Sequence, residues 1–115
     1  MRIALLAVVA LTLLGCGASK PSAHARANAA LLDRVPVYPG ATAPKTTPGG
    51  AFAARDWTLP AGASAERVID WYVAALQTRG WKVTGKSFNT IRAKHARWSL
   101  SVGVRSRILE VIASA

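Results

Sequence analysis

The residues with the clearest chemical potential in this chain are basic. Between Arg79 and Arg107 the sequence carries eight Lys and Arg side chains and no acid. Six of them belong to the polar positions of segments with a period of two: Lys82, Lys86, Arg92, Lys94, Arg97 and Arg105. If these segments are strands of one sheet, the six form a cationic face that attracts phosphates or carboxylates. The alternative is a solvated face whose charges discourage edge pairing and keep the protein soluble.

The acidic and histidine side chains give little support to catalysis. The acids are Asp33, Asp56, Glu66, Asp70 and Glu110. Glu66 and Asp70 are four residues apart on the polar side of a predicted helix, which is typical of solvent exposure rather than of an acid–base pair. We find no Ser/His/Asp arrangement, metal-ligand spacing or phosphate-binding glycine loop, and therefore expect a non-enzyme without a cofactor. An enzyme of unrecognised type is the third hypothesis, and a cluster of His95 and Asp56 in a pocket would favour it.

Cys16 is the only cysteine, so an intramolecular disulfide and a thiolate metal cluster are excluded. It follows a basic start at Arg2 and an apolar run over residues 3–14, which is shorter than the roughly 20 residues that a membrane span needs. This order is typical of a secretory signal peptide. An uncleaved anchor, or a plain secretory signal with an incidental cysteine, is the alternative.

The sequence Leu13-Leu14-Gly15-Cys16 resembles the lipobox of bacterial lipoproteins, although a residue smaller than Leu14 is commoner there. The resemblance covers about the first 16 residues. It implies that residues 1–15 are removed and that Cys16 is acylated, which would anchor the protein to a membrane. Gly17 is not the aspartate that retains lipoproteins in the inner membrane, so the resemblance favours the outer membrane in a bacterium with two membranes.

Composition suggests one small domain behind a tether. Residues 16–34 are mostly small and polar, and we expect them to be the acylated cysteine and a tether that holds the domain off the bilayer. A short helix over 23–34 would have only Leu31 and Leu32 as anchors. Residues 35–115 are then a single α+β domain.

Net charge indicates anionic partners. The whole chain has a formal charge of +10, and without residues 1–15 it would keep 14 basic against 5 acidic residues. Anionic lipid, lipopolysaccharide and cell-wall polymer are the candidate partners. The predicted envelope location makes nucleic acid the less expected one.

The domain's elements can be read from periodicity and turn residues. Pro39-Gly40 suits a type II turn, residues 42–50 a loop, and residues 51–59 a first strand. A helix over 65–79 is predicted between the N-cap Ser64 and Gly80, and period-two segments follow at 81–87, 90–95, 97–105 and 108–114. The order β-α-β-β-β-β predicts an antiparallel sheet of four to five strands with one helix on its apolar face.

Two stretches, VPVYPGA at 35–41 and VIDWYVAALQTRGW at 68–81, resemble those of small bacterial lipoproteins and secreted proteins of unknown function. The resemblance covers about half of the chain and its motifs are structural. It implies the same fold and assigns no catalytic residue.

Trp71 lies outside the apolar stripe of the predicted helix, one turn after Arg67. It is a candidate partner contact with Arg67 over its ring, or it packs under the 42–50 loop. The last strand carries apolar residues on both faces, Ile108 and Ile112 against Leu109 and Val111, and is therefore central, covered or a dimer contact. We expect a lipid-anchored binding or accessory module, with a structural subunit of an envelope complex as the second hypothesis.

Overall fold

The computed structural model describes residues 22–47, 49 and 51–115, so the predicted signal peptide and Cys16 lie outside the described residues. The described residues form two helices and six strands. The helices are α1 (Ala23–Leu32) and α2 (Ala65–Thr78). The strands are β1 (Thr42–Thr47), β2 (Ala53–Thr58), β3 (Lys82–Lys86), β4 (Thr90–His95), β5 (Trp98–Arg105) and β6 (Ile108–Ser114).

The six strands form one sheet in the order β1-β2-β6-β5-β4-β3, in which all neighbours are antiparallel. Both helices pack on the same face: α1 contacts β2 and β6, and α2 contacts β3, β4 and β5. The predicted α+β class with an antiparallel sheet is confirmed. The expected four to five strands and single helix are corrected to six strands and two helices.

The α2 helix is the element that the sequence predicts best. The Ser64 hydroxyl oxygen accepts a hydrogen bond from the Arg67 N–H at 3.2 Å, and Gly80 ends the helix with φ +86°. Its buried residues, Val68, Ile69, Tyr72 and Leu76, belong to the predicted apolar stripe. The helix ends at Thr78, one residue earlier than expected.

The α1 helix lies where a tether was expected. Its residues Ala25, Asn28, Leu31 and Leu32 are buried, and Leu32 is only 1% exposed. Asp33, directly after the helix, pairs with Arg55 of β2 at 3.0 Å. Residues 22–34 therefore belong to the folded domain, because small alanine side chains let the helix approach the sheet closely enough for two leucines to be buried.

The β1 strand replaces part of the expected 42–50 loop. It pairs with β2 across a β-bulge between Thr42 and Lys45, where Ala43 has φ +54°. Every β1 side chain is exposed. The strand contains Pro44, which is tolerated because β1 is an edge strand with one row of backbone groups facing solvent.

The core lies between the sheet and the helices, and Tyr72 is its largest fully buried side chain. Its hydroxyl oxygen accepts a hydrogen bond from the Tyr38 N–H at 3.2 Å. Burial raises the pKa of Tyr72 to about 12, against the opposing effect of that hydrogen bond. The contact holds the 35–41 segment on α2.

Three tight turns in the fold each contain a residue with a positive φ. The Ala41 N–H donates to the Tyr38 carbonyl at 3.0 Å and Gly40 has φ +88°, so the predicted Pro39-Gly40 turn is confirmed. The β4–β5 and β5–β6 hairpins have two-residue loops that begin with Ala96 and Ser106, whose φ values are +56° and +55°. A positive φ at this position is what two-residue hairpin loops require, and glycine adopts it most easily.

Candidate anion-binding face

The sheet has one face that neither helix covers, which we call the open face. It carries the outward side chains of the strands: Ala54, Asp56 and Thr58 of β2, Ile108, Glu110, Ile112 and Ser114 of β6, Ser99, Ser101 and Arg105 of β5, Thr90, Arg92 and Lys94 of β4, and Lys82 and Thr84 of β3. The strand registers place these residues side by side. Antiparallel sheets commonly keep one face solvated in this way.

Three cations come together at one corner of the open face: Lys82, Arg92 and Lys94, which we call the cationic corner. Lys82 is the register partner of Lys94, and Arg92 is two residues along β4. Their Cβ atoms are therefore about 5 Å and about 7 Å apart. All three side chains are exposed, and among the described residues none of them forms an ion pair. Like charges in direct opposition are destabilising, so a bound anion would relieve repulsion here.

A shallow groove of about 280 Å³ runs beside this corner. On its β5 side Ser99 is the register partner of Lys94, and Ser101 is the register partner of Arg92. Ile112 and Ser114 of β6 continue the groove. The cationic groups of β4 and the serine hydroxyls of β5 line the same groove, and both can donate hydrogen bonds to the oxygens of an anion.

Lys86 does not lie on this face, contrary to expectation. The sheet register shifts between Val83 and Gly85, so that Lys86 is opposite the buried Ile91. Its side chain lies on the helix side, where Nζ is 2.9 Å from Oδ1 of Asp70. A one-residue bulge reverses which face every following residue occupies, which explains why strict alternation misplaced Lys86.

The remaining two predicted cations lie apart from the corner. Arg97 is in the β4–β5 turn, with its guanidinium carbon 5.4 Å from the centre of the Trp98 ring. Arg105 is on the open face at the opposite end of β5, beside a second depression of about 240 Å³ that also contains Glu110. The structure thus brings together three of the six predicted residues, and these three lie on the two strands β3 and β4.

The open face also holds an acid pair that sequence reasoning missed. Asp56 of β2 is the register partner of Glu110 of β6, and Lys45 of β1 is the register partner of Asp56. One carboxylate oxygen of Asp56 is buried without a hydrogen-bond partner. The alternation of the β2 segment was too poor to reveal which residues face outward, and no local signal showed that β2 pairs with β6. The face is therefore positive on β3 and β4 and negative on β2 and β6.

His95 and Asp56 lie on opposite faces of the sheet and do not form a cluster. Asp56 is on the open face of β2. His95, at the end of β4, is on the helix side, with its ring 5.6 Å from that of Trp81. Within the described ranges, no group of three or more His, Cys, Asp or Glu residues is arranged to hold a metal ion.

Trp71 is half-buried in an aromatic cluster. Its ring makes edge-to-face contacts with Tyr38 at 5.5 Å and Tyr72 at 4.9 Å, measured between ring centres. It therefore packs against the 35–41 segment. The cation–π contacts in the described part of the chain involve Arg55 and Arg97 rather than Arg67. The C-terminal strand β6 is paired on both sides, which confirms the central placement among the alternatives.

Comparisons with other proteins add no assignment. No protein-family model matches the chain, and no curated protein or solved structure does either. In the part of the chain that the structure describes, no helix is long and apolar enough to cross a membrane.

Proposed function

We propose that this protein is a lipid-anchored protein of the bacterial cell envelope and a non-enzymatic module that binds an anionic envelope component through the cationic corner. The observation that carries the binding role is the arrangement of Lys82, Arg92 and Lys94. These three cations have no acidic partner among the described residues and stand beside two serine hydroxyls. The anchoring role is supported by the lipobox-like residues that end in Cys16.

The binding role is tested with full-length chain and long-chain polyphosphate as the probe. In the triple variant Lys82→Gln/Arg92→Gln/Lys94→Gln we expect binding at least about tenfold weaker. The reason is that three exposed charge contacts at about 0.5–1 kcal/mol each sum to about 1.5–3 kcal/mol. Fluorescence titration at low and high salt measures the effect, which salt should diminish.

The matched control removes three exposed basic residues elsewhere, in the variant Arg34→Gln/Lys45→Gln/Arg67→Gln. It loses the same net charge, so a merely non-specific attraction would weaken equally in both variants. We expect the control to bind within about threefold of the original protein, because a long-range contribution from exposed charges is largely screened. Equal losses of polyphosphate affinity in the two variants would contradict specific binding at the cationic corner.

The anchoring role is tested by mass spectrometry of the protein produced in a bacterium. We expect an N-terminus at Cys16 that carries acyl chains, and membrane attachment that is lost in Cys16→Ser. Two or more acyl chains are needed for a stable anchor, since one gives only marginal binding. A full-length, unacylated product in the original chain would refute the anchoring proposal.

The second hypothesis is a structural subunit of an envelope complex, recognised through Trp71 or the C-terminal strand. Trp71 contacts Tyr38 and Tyr72 of the same chain, and β6 is paired on both sides. These contacts favour the binding role at the cationic corner as the first proposal.

A further inference from the structure

The predicted anchor, Cys16, lies a short distance along the chain from the folded domain. Because α1 is packed on the sheet, Ser22 already belongs to the folded domain, and its hydroxyl oxygen caps α1 by accepting from the Ala25 N–H at 3.0 Å. Only residues 17–21 separate Cys16 from Ser22. Even a fully extended chain of that length spans no more than about 20 Å. A tether reaching to residue 34 would have allowed any orientation of the domain, but this one does not.

The segment that leads to Cys16 joins the domain on the helix side of the sheet. The α1 helix lies on the helix side of the sheet, over β2 and β6. The cationic corner is on the opposite face and on the other half of the sheet, β4 being three strands from β2. That lateral separation alone is about 14 Å.

The thickness of the domain adds to this separation. A helix with side chains is about 10 Å in diameter, so Ser22 stands roughly 10 Å above the sheet. For the cationic corner to lie flat on the bilayer, residues 17–21 would have to span that height and pass around an edge of the sheet. A segment of at most about 20 Å would have to be nearly fully extended to do this, which conformational entropy opposes.

We propose that the cationic corner faces away from the bilayer that anchors the protein, and that it takes a soluble, linear polymer with closely repeated phosphate groups rather than the head groups of that membrane. This rests on the proposed anchoring and anion-binding roles. Lys82 and Lys94 lie about 5 Å apart across the two strands, and Arg92 lies about 7 Å from Lys94 along β4. Three cations clustered this closely can each contact a neighbouring anionic group of one flexible polymer. The serine hydroxyls beside them supply donors for the phosphate oxygens.

The orientation is measured with fluorescent labels on introduced cysteines. In the acylated protein Cys16 is blocked, so a single new cysteine is the only reactive thiol. Thr84→Cys reports the open face beside the corner, and Ala30→Cys reports the exposed side of α1. The mature, acylated protein is purified from membranes and reconstituted into neutral vesicles that contain lipid with a nitroxide head group.

We expect the label at position 30 to be quenched several-fold more strongly than the label at position 84. Equal quenching, or stronger quenching at position 84, would overturn the proposed orientation. Both positions are exposed, so neither substitution is expected to disturb the fold, and circular dichroism checks this.

The ligand is tested with long-chain polyphosphate, added to the acylated protein in neutral detergent and in neutral vesicles. We expect the two affinities to agree within about threefold. An affinity about tenfold lower in vesicles would show that the bilayer covers the corner and would overturn this inference while leaving anion binding intact. No binding in detergent would refute the proposed binding role itself, and binding only to anionic vesicles would identify head groups as the ligand and overturn the inference.

Discussion

The hydrogen bond between Tyr72 and the 35–41 segment gives the sharpest prediction. The Tyr72 side chain is fully buried and its oxygen is the acceptor for the Tyr38 N–H. In Tyr72→Phe this N–H loses its partner while the ring stays in place. A buried donor without a partner costs about 1–3 kcal/mol, and we expect a loss of about 1–2 kcal/mol in the free energy of unfolding at about pH 9.

The same residue predicts how that difference changes with pH. The pKa of Tyr72 is about 12 in the folded protein against 10.0 for a tyrosine in water. Because the folded value is the higher one, the stabilising contribution is complete below pH 10. It is lost as the pH rises from 10 towards 12, since the unfolded chain releases its proton first. The slope is about 1.4 kcal/mol per pH unit, so the original protein should lose about 1.4 kcal/mol from this residue by about pH 11.

Phenylalanine has no proton to release, so the variant should not share this loss. We therefore expect the stability difference between the two proteins to shrink to near zero at about pH 11. Urea unfolding followed by far-ultraviolet circular dichroism measures it without interference from tyrosinate absorption. All other side chains are the same in the two proteins, so their contributions cancel in the difference. If the difference in unfolding free energy between the two proteins stays constant from about pH 9 to about pH 11, the prediction is wrong.

Three further predictions test the fold. Leu32→Ala, at a 1% exposed position of α1, should lower the unfolding free energy by about 2–4 kcal/mol in a urea titration, and a change below about 0.5 kcal/mol would mean that α1 is not packed. Ala96→Gly and Ser106→Gly should each raise the melting temperature, with a gain of about 0.5–1 kcal/mol, because glycine adopts their positive φ values with little strain; a lower melting temperature in both would contradict the assigned turns. Lys86→Gln should cost at most about 0.5 kcal/mol, since its ion pair with Asp70 has both side chains about half exposed; a cost above 2 kcal/mol would show that the bulge itself depends on the pair.

The helix α2 and the four strands after it could be predicted because each carries its own strong local signal. Ser64 and Gly80 mark the ends of the helix, and Leu100, Val102 and Val104 alternate regularly with polar residues. The observed helix and strands match these local patterns. The end of the helix and the register of β3 differ from the prediction.

Elements without such a signal could not be predicted from the sequence. All β1 side chains are exposed, so it has no alternation between buried and exposed positions. The α1 helix is rich in alanine, and alanines alone do not distinguish a packed helix from a solvated segment. The β1 strand is defined by its pairing with β2, and α1 by its packing on β2 and β6, neither of which composition encodes.

The cationic corner was predicted in part, for a related reason. Lys82, Arg92 and Lys94 follow from simple alternation, whereas Lys86 leaves the face because of one extra residue at the bulge. The acid pair of Asp56 and Glu110 joins strands that are far apart in the sequence. Local periodicity can therefore locate a charged strand face but cannot show which distant charges share it.

The position of β6 has a consequence for how the protein is made. It is the last of the six strands to be synthesised, yet it joins β2 to β5, and its pairing of Ala113 with Ala53 spans about 60 residues. Before β6 is available, β1–β2 and β3–β5 are two separate small sheets, and a two-stranded hairpin is at best marginally stable in water. The growing chain therefore cannot complete its core early, and its sheet remains in two parts until β6 has been synthesised.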